Sequence, residues 1–357
     1  MKPSTTPQRL HAIPCVWMRG GTSKAAFFHA ADLPADPAER DRVLLLAMGG
    51  EDSRQIDGIG GGTPLTTKLA IIAPGREPGV DVEYLFGQVV AGENRIDYAP
   101  TCGNILAAVG PFALDAGLLP CLPGMTPVRI RMVNTGGLCT ASIPTTPAGV
   151  VYHGTQRISG VPGSAAPLAL HFADIAGSSC GALYPSGAVR DVIEGVEVSC
   201  VDNGMPVVVL RAADVGIRGD ESPAELDANL ALKARLESIR LAAGPRMGLG
   251  DVQHKVVPKM TLVSAPREGG AIHTRTFIPH RCHDAIGVLG AASVATVCTQ
   301  PGSVCDGLAV PAAHGAVSVE HPTGEFTIQL SPGSDGVPAV ALLRTARPLF
   351  RGEVLIP

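Results

Sequence analysis

The chain has 357 residues, of which 45% are hydrophobic and 17% charged, enough for one large domain or two ordinary ones. Its formal net charge of −4 and its aromatic content of 4% exclude a basic, aromatic surface of the kind that binds nucleic acid. No run approaches the roughly 18 consecutive apolar residues of a membrane-spanning helix, and the first residues lack the apolar core of a secretory signal. We therefore expect a cytoplasmic protein that binds neither nucleic acid nor a membrane.

The spacing of cysteine and histidine gives no sign of a disulfide framework or a metal centre. The nine cysteines are odd in number and include no C-x-x-C pair, and the ten histidines form no H-E-x-x-H motif. We therefore predict that the protein holds no metal ion. The 43 glycines and 31 prolines are spread among apolar runs, which is typical of many short strands and turns rather than a helical bundle.

The first predicted elements are a strand, a turn and a strand over residues 15–28, followed by a helix within 31–50. Asp36 is the predicted N-cap of this helix, and Glu39 lies three residues further on, where it would complete a capping box. Gly49 is placed to end the helix in the left-handed conformation that glycine adopts easily.

A lysine opens the next predicted strand, over residues 66–74, and a cysteine opens a helix over 101–114. This helix is apolar nearly all round, so it must be buried. At its start, Cys102 would face unpaired backbone N–H groups and the positive end of the helix dipole, which favour a thiolate. Position alone still favours simpler interpretations, a core cysteine and a solvated lysine at the end of a strand.

The second half of the chain repeats the order of these elements. They are a strand–turn–strand over 198–210, a capped helix over 219–244, a strand over 257–266 and a cysteine-led helix over 281–295. Ser222 and Glu225 form the predicted capping box of the second capped helix, which should end near Gly244. The alignment pairs Lys68 with Lys259, Cys102 with Cys282 and Gly110 with Gly290. Matches in the same order indicate two half-molecules of the same topology.

The predicted fold class is therefore α+β, with two pseudo-symmetric halves that each wrap a mainly antiparallel sheet around a central helix. The first half covers residues 1–188 and the second 189–339, and the terminal segment 340–357 is expected to pair back with the first half. We expect the active site in the cleft between the halves, because both central helices would begin there.

The polar residues that these elements place beside the central helices indicate proton transfer at carbon. Glycine-rich turns let backbone N–H groups approach an anion, and lysine and arginine supply the opposite charge. A C–H beside a carbonyl or carboxylate becomes acidic once such groups stabilise the developing enolate in a dry site. A lysine or a cysteine serves as the base when its pKa is brought toward neutrality, and Lys68 beside Cys102 would provide such a pair.

Segments along most of the chain resemble the PrpF family. They include MRGGTSKAAFF, RQIDGIGGGTPLTTKLAI, DVEYLFGQVV, TCGNILAAVGPFAL, DNGMPVV, TFIPHRCH and EHPTGEF, and the resemblance runs from about residue 11 to the C-terminus. This family comprises cofactor-independent isomerases of unsaturated polycarboxylates with the diaminopimelate epimerase fold. The resemblance therefore implies that fold, no cofactor and a small polycarboxylate substrate.

The resemblance also implies site residues. Lys68 and Cys102 match the family's proposed acid/base residues. The residues that would bind substrate are Arg19, Gly20, Thr22, Ser23, Lys24, Thr67, Gly103, Asn104, Lys259, His280, Arg281, Cys282 and His283. This chain departs from its relatives at Ala25, Thr67 and Thr101, where they carry glycine, serine and asparagine, and these changes bear on the choice of substrate.

We expect an isomerase of a small unsaturated oxo-tricarboxylate, above all 4-oxalomesaconate, in the degradation of aromatic acids. Return of the proton to oxygen would make it a keto–enol tautomerase, and return to carbon an allylic isomerase. The alternatives are an isomerase of methylitaconate- or aconitate-type acids, an epimerase that uses Cys102 and Cys282 as two thiols, and a non-catalytic accessory protein. A homodimer is the candidate assembly.

Overall fold

The chain folds into two compact units in the computed structural model. The model describes residues 10–98, 102–172, 175–310, 315–331 and 339–357. The first unit comprises residues 1–170 with 344–357, and the second comprises residues 171–343.

The division between the units falls after residue 170 rather than after residue 188, where the sequence analysis placed it. The reason is that the segment around residue 180 is bound to a strand of the second unit. The carboxylate of Asp202 accepts hydrogen bonds from the backbone N–H groups of Ser179 and Cys180, at 2.8 and 2.9 Å. The C-terminal segment belongs to the first unit, where it pairs with the first strand of the chain.

The described residues form eighteen strands and five α-helices, besides two short 3-10 helices. The elements from the N-terminus onward are β1 (His11–Gly20), β2 (Ser23–His29), α1 (Pro37–Met48), β3 (Lys68–Pro74), β4 (Val82–Val90), β5 (Arg95–Asp97), α2 (Gly103–Asp115), β6 (Gly124–Met132), β7 (Leu138–Thr146), β8 (Gly149–Val150) and β9 (Leu168–Phe172). They are followed by β10 (Asp191–Ile193), β11 (Val196–Asp202), β12 (Pro206–Arg211), α3 (Pro223–Ala228), α4 (Leu230–Arg246), β13 (Lys259–Ser264), β14 (Ile272–Phe277), α5 (Val288–Thr299), β15 (Ala316–His321), β16 (Gly324–Ser331), β17 (Ala339–Arg344) and β18 (Ala346–Ile356).

Strand pairing follows the same rule in both units. In the first unit the order is β18–β1–β2–β3–β4–β6–β7, and only β2–β3 and β4–β6 are parallel among these described pairs. In the second unit the order is β10–β11–β12–β13–β14–β15–β16–β17, and the parallel pairs are β12–β13 and β14–β15. Helices lie in the connections between parallel neighbours, because a parallel pair needs a long crossover. The internal repeat therefore extends to the order and direction of the strands.

A largely apolar helix lies against the sheet of each unit. Every residue of α2 from Ile105 to Leu114 is buried, and the helix packs on β1, β2, β3, β4, β6, β7, β8 and β18. In α5, residues Gly290 to Val297 are buried against β11, β12, β15 and β16. Helices without a polar face can be accommodated only inside a protein, so their sequences determine where they lie.

The first capped helix differs from its prediction in one bond. The Asp36 carboxylate accepts from the Glu39 N–H at 2.9 Å, and Gly49 ends α1 at a φ of 72°. The Glu39 side chain binds Arg42 at 2.7 and 2.9 Å instead of turning back to the N-cap, so the capping box is incomplete. An arginine three residues further along the same face competes for that carboxylate.

The segment predicted as the second capped helix, residues 219–244, forms two helices, α3 and α4. The capping box between Ser222 and Glu225 opens α3, as predicted, but α3 ends at Ala228. Asn229 breaks the run and then caps α4, because its side chain accepts from the Leu232 N–H at 3.0 Å. Helix α4 continues through Gly244, where its end was predicted, to Arg246. No helix in the described part of the chain has the length and apolar character needed to cross a membrane.

A buried carboxylate, imidazole and guanidinium form a chain in the second unit. Glu320 is 2% exposed and accepts hydrogen bonds from three backbone N–H groups within residues 267–270. Its Oε2 lies 2.9 Å from Nδ1 of His273, and Nε2 of His273 lies 2.8 Å from Nη1 of Arg275. Because arginine has only donors, Nε2 must accept and the imidazole is neutral. Burial accordingly lowers the pKa of His273, against the opposing effect of Glu320.

Acid should weaken the second unit through His273. Because folding lowers the pKa of His273 from 6.5, the unfolded chain takes up a proton that the folded chain excludes. The stability that depends on the neutral imidazole is therefore present above pH 6.5 and is lost as the pH falls through the lower, folded value. We expect His273→Gln to reduce the pH dependence of the unfolding free energy between pH 7 and 5 by up to about 1.4 kcal/mol per pH unit.

Urea unfolding at a series of pH values measures this slope. His254→Gln, which removes an exposed histidine of the same unit, is the control for the loss of an imidazole as such. Equal slopes in the wild type and in His273→Gln would contradict the prediction.

Candidate active site

Lys68 is the first residue of β3 and is only 9% exposed. Its Nζ donates a hydrogen bond to Oε1 of Gln88 at 2.7 Å and lies 5.2 Å from the centre of the Phe86 ring. The register of β3 and β4 places Gln88 directly across from Lys68. The amine is therefore held by a neutral amide and an aromatic face. Because that partner carries no charge, the amine can exchange a proton without breaking an ion pair.

Gln88 is held in turn by Thr67. Its Nε2 donates to the Thr67 hydroxyl at 2.7 Å and to the Thr67 carbonyl at 3.1 Å, and the hydroxyl donates to the Val89 carbonyl at 2.7 Å. These bonds orient the amide so that its oxygen faces Lys68. Sequence reasoning missed Gln88, although a glutamine in the otherwise apolar run YLFGQVV was the signal that could have found it.

Cys102 is the N-cap of α2. Its backbone is extended, with φ −133° and ψ 103°, and its carbonyl accepts from the Leu106 N–H at 2.9 Å. The half-buried side chain makes no capping hydrogen bond. The sulfur is therefore available at the end of the helix where Gly103 and Asn104 begin the first turn and backbone N–H groups lack intrahelical partners. Thr101, which departs from the family pattern, lies outside the described residues.

An aromatic pair on β4 lies beside Lys68. The rings of Tyr84 and Phe86 are 6.4 Å apart, and the Lys68 amine lies over Phe86. Burial raises the pKa of Tyr84, and a negative charge at Cys102 raises it further. Because Lys68 lies across from Gln88 and side chains alternate along a strand, Lys68, Tyr84 and Phe86 lie on one face of the sheet.

The turn between β1 and β2 packs on the first turn of α2. A Cβ built at Gly20 would lie 2.3 Å from the Asn104 carbonyl oxygen, and one at Gly21 would lie 2.2 Å from Asn104 Oδ1. Asn104 Nδ2 donates to the Thr22 hydroxyl at 3.0 Å. The Ser23 hydroxyl and Asn104 Oδ1 are buried without a hydrogen-bond partner among the described residues, so two polar atoms beside the thiol end of α2 are free to bind a ligand.

Arg19 and Lys24 lie away from this cluster. Side chains alternate along a strand, so Arg19 points to the face opposite Gly20, and Lys24 to the face opposite Ser23. The two cations are directly across from each other in the β1–β2 pair. Nη1 of Arg19 donates to the carbonyl of Gly21 and to the carbonyl and hydroxyl of Thr345, at 2.9 to 3.0 Å. In this structure Arg19 ties the turn to the start of β18.

In the second unit, Lys259 occupies the position in β13 that Lys68 occupies in β3. Both lysines open a strand that is paired parallel with the preceding strand of the repeat. Lys259 is half-buried, and burial, with a smaller effect of Arg240, lowers its pKa. His280 and Arg281 are exposed; His280 Nδ1 is 3.7 Å from a Glu237 carboxylate oxygen, and Arg281 Nε is 3.5 Å from an Asp227 carboxylate oxygen.

Cys282 does not lead a helix, which corrects its alignment with Cys102. Helix α5 begins at Val288 with Gly287 as N-cap, whereas Cys282 is bridged to Phe277 at the end of β14. Its N–H donates to Asp227 at 2.7 Å. Burial raises the pKa of the Cys282 thiol to about 12, so it is unsuited to act as a second thiolate. The alignment failed because both segments contain a cysteine before an apolar run, but a bridged loop separates the second cysteine from its helix.

His283 belongs to the same bridged loop. Its N–H donates to the Thr276 carbonyl at 2.8 Å, and its Nδ1 accepts from the Ala285 N–H at 2.8 Å. Burial lowers its pKa, which favours the neutral ring. Within the described ranges, no group of three or more His, Cys, Asp or Glu side chains is arranged to hold a metal ion.

Comparisons with known proteins agree with this description. The family model described as PrpF protein matches residues 10–357. The chain is 57% identical to 4-oxalomesaconate tautomerase of Pseudomonas putida over 346 residues, 96% of each chain. It is 53% identical to (4E)-oxalomesaconate Delta-isomerase of Novosphingobium sp. (strain KA1) over 352 residues, 98% of this chain and 99% of the relative.

A solved structure extends the similarity to the fold. The crystal structure of a methylitaconate-delta-isomerase superposes with a TM-score of 0.87 at 33% identity, over 98% of this chain and 96% of the other. The chain therefore belongs to the PrpF family. Both the family and the α+β fold class predicted from the sequence are confirmed.

The close contact at Gly20 yields a stability test. In Gly20→Ala the new methyl group would meet a backbone carbonyl oxygen, which cannot move without shifting α2, so we expect a loss of about 1–3 kcal/mol in unfolding free energy. Gly352→Ala is the matched control, because a Cβ at that strand position meets nothing within 4 Å. Equal stability of the two variants in urea titrations would show that the turn and the helix do not depend on this contact.

Proposed function

We propose that this protein is an isomerase that moves a proton in a small unsaturated oxo-tricarboxylate, with 4-oxalomesaconate as substrate. The observation that carries the proposal is the buried amine of Lys68 at the start of β3, held by a neutral amide, in the same unit as Cys102, whose side chain makes no capping bond at the start of the buried helix α2. The two relatives that are more than half identical to this chain, and that span nearly all of it, are named for reactions of oxalomesaconate. Relatives named for methylitaconate and 2-methylaconitate are 36% and 31% identical, so these acids rank second.

The residues divide the reaction into proton removal, charge stabilisation and proton return. One member of the Lys68–Cys102 pair takes a proton from carbon, and the C–H electrons move into a conjugated dienolate. Backbone N–H groups of the first turn of α2, at Gly103 and Asn104, face the developing negative charge. The other member returns a proton, to oxygen in a keto–enol tautomerisation or to carbon in an allylic isomerisation. Both routes conserve electrons and protons, so neither requires a redox cofactor.

The first test follows 4-oxalomesaconate by proton NMR in heavy water. Conversion should introduce deuterium at carbon or produce the enol, and the product distinguishes the two routes. Lys68→Ala and Cys102→Ser should each lower turnover by about 100-fold or more, because each removes a general acid or base. Lys233→Ala and Cys121→Ser are the controls for loss of a lysine or a thiol elsewhere. Full turnover in either active-site variant would refute the proposal.

Deuterium exchange also assigns the two roles. A variant that lacks the acid can still remove the substrate proton reversibly, so it exchanges substrate hydrogen for deuterium without forming product. A variant that lacks the base does neither. Exchange retained only in Cys102→Ser identifies Lys68 as the base, and exchange retained only in Lys68→Ala identifies Cys102.

Gln88 should control the reactivity of Lys68. Gln88→Glu keeps the shape of the side chain but places a carboxylate 2.7 Å from the amine, which favours the ammonium. A stabilised ammonium is a poorer acid, and its amine form is scarcer as a base, so turnover near neutral pH should fall about tenfold or more. The pH–rate profile measures the effect, and Gln253→Glu adds the same charge in an exposed loop as a control. An unchanged profile would mean that the amide does not influence the reaction.

We also propose that the protein resides in the cytoplasm. All nine cysteines are free, and five of them are buried. Thiols persist in this state in a reducing compartment.

A further inference from the structure

Strand β18 lies at an edge of the sheet of the first unit. Within the described part of the chain it pairs with β1 alone, so the backbone N–H and C=O groups on its other side have no strand partner there. The consecutive residues from Leu349 to Glu353 are exposed, and Leu355 is 58% exposed. A long edge strand with exposed apolar side chains is a template for pairing with another strand.

A bulge limits the part of β18 that can pair regularly. The register with β1 shifts between Trp17 and Met18, so β18 carries an extra residue, Leu349, beside Pro348. Bulges and prolines both interrupt a ladder of backbone hydrogen bonds. Regular pairing on the outer edge is therefore confined to residues 350–356.

The charges in this segment are complementary to themselves. Arg351 and Glu353 are two residues apart, so their side chains lie on the same face of the strand. When two copies of β18 run antiparallel about a two-fold axis at Gly352, Arg351 of each copy lies directly across from Glu353 of the other. An axis one residue earlier or later places two arginines or two glutamates opposite each other, and like charges in that position are destabilising. Of these three registers, the charges select the one at Gly352.

Both charged groups are accessible to another chain. The Arg351 side chain is 62% exposed, and its Nη2 lies 3.8 Å from Oδ2 of Asp115. That oxygen has a closer partner in the Tyr152 hydroxyl, which donates to it at 2.8 Å. The Glu353 side chain is exposed and forms no ion pair with the described residues. A second copy can therefore supply each of these groups with an opposite charge.

Apolar side chains are complementary in the same register, on the other face of the strand. With the axis at Gly352, Phe350, which is 47% exposed, lies across from Val354 of the second copy. Val354 packs against the apolar cluster that contains Trp17, and Trp17 is the partner of Phe350 in β1. Pairing would therefore cover Phe350 and continue this cluster from one copy to the next.

We propose that β18 is a dimer interface, where it pairs antiparallel with β18 of a second copy about a two-fold axis at Gly352. Backbone hydrogen bonds join the sheets of the two first units, as in other cases of strand addition. The same residues serve on both sides, as two-fold symmetry requires. The two pairs of Arg351 with Glu353 set the register. The sequence analysis named a homodimer as the candidate assembly, and β18 provides the surface for it.

Charge reversal in the full chain tests the register, with sedimentation velocity over a range of protein concentrations as the measurement. The wild type should dimerise. Arg351→Glu and Glu353→Arg each place like charges together at both pairs, so each should raise the dimer dissociation constant about tenfold or more. A mixture of the two single variants should dimerise again, because every charge then faces its opposite in the other copy. Restoration in the mixture also shows that both variants are folded.

Arg95→Glu is the matched control. Arg95 is an exposed arginine of the same unit, and its carboxylate partner, Glu93, belongs to its own chain. This variant should leave the dissociation constant unchanged. A wild type that is monomeric at every concentration would overturn the proposal, since the charges of β18 would then only protect the edge. A dimer that neither single reversal weakens would place the interface on another surface, and a mixture that associates no better than its components would exclude this register.

Hydrogen exchange of the unaltered protein distinguishes a second copy from any other occupant of the edge. The amides of residues 350–355 that do not bond to β1 should exchange more slowly as the protein concentration rises, in step with the fraction of dimer. Protection that is equal at all concentrations would mean that a segment of the same chain covers β18. Equal and rapid exchange at all concentrations would mean that nothing does. Either of these results would contradict the proposal.

Discussion

Burial of the apolar helix α2 within the sheet of the first unit is the constraint on which the candidate site depends. Ten consecutive residues from Ile105 to Leu114 leave the helix no face that tolerates water. The strands of the first unit must therefore close around α2. The N-terminus of the helix, with Cys102, lies at one end of the enclosed space. Because Cys102 precedes the first turn of α2, its sulfur lies near backbone N–H groups that have no intrahelical partner.

Three sets of close contacts in the first unit define the candidate site. The glycine turn between β1 and β2 lies against Asn104, at distances that leave no room for a Cβ at Gly20 or Gly21. The Gln88 amide, fixed by Thr67, aims its oxygen at Lys68. The Lys68 amine lies over the Phe86 ring, and the Tyr84 ring packs beside Phe86. Most of these polar groups are fixed by their neighbours, as expected for a site that stabilises charge by preorganised dipoles.

The two units share their strand order and opening lysines but differ in the chemistry of their central helices. In the second unit Gly287 caps α5, and Cys282 lies in a bridged loop, where burial makes it a poor thiolate. The polar core of that unit is instead the chain of the Glu320 carboxylate, the neutral His273 imidazole and the Arg275 guanidinium. Of the two cysteines that the sequence repeat aligned, Cys102 lies at the start of a helix and Cys282 does not.

The sequence by itself determined the α+β class, the repeat, the buried helices and the positions of Lys68 and Cys102, because apolar periodicity, capping residues and glycine are local signals. It did not determine which side of the sheet Arg19 faces, that Cys282 is separated from its helix, or that Gln88 binds Lys68. Those facts depend on register and packing. A one-residue difference in register reverses the face of a side chain, and residues far apart in the chain become neighbours only when strands pair across the buried helix.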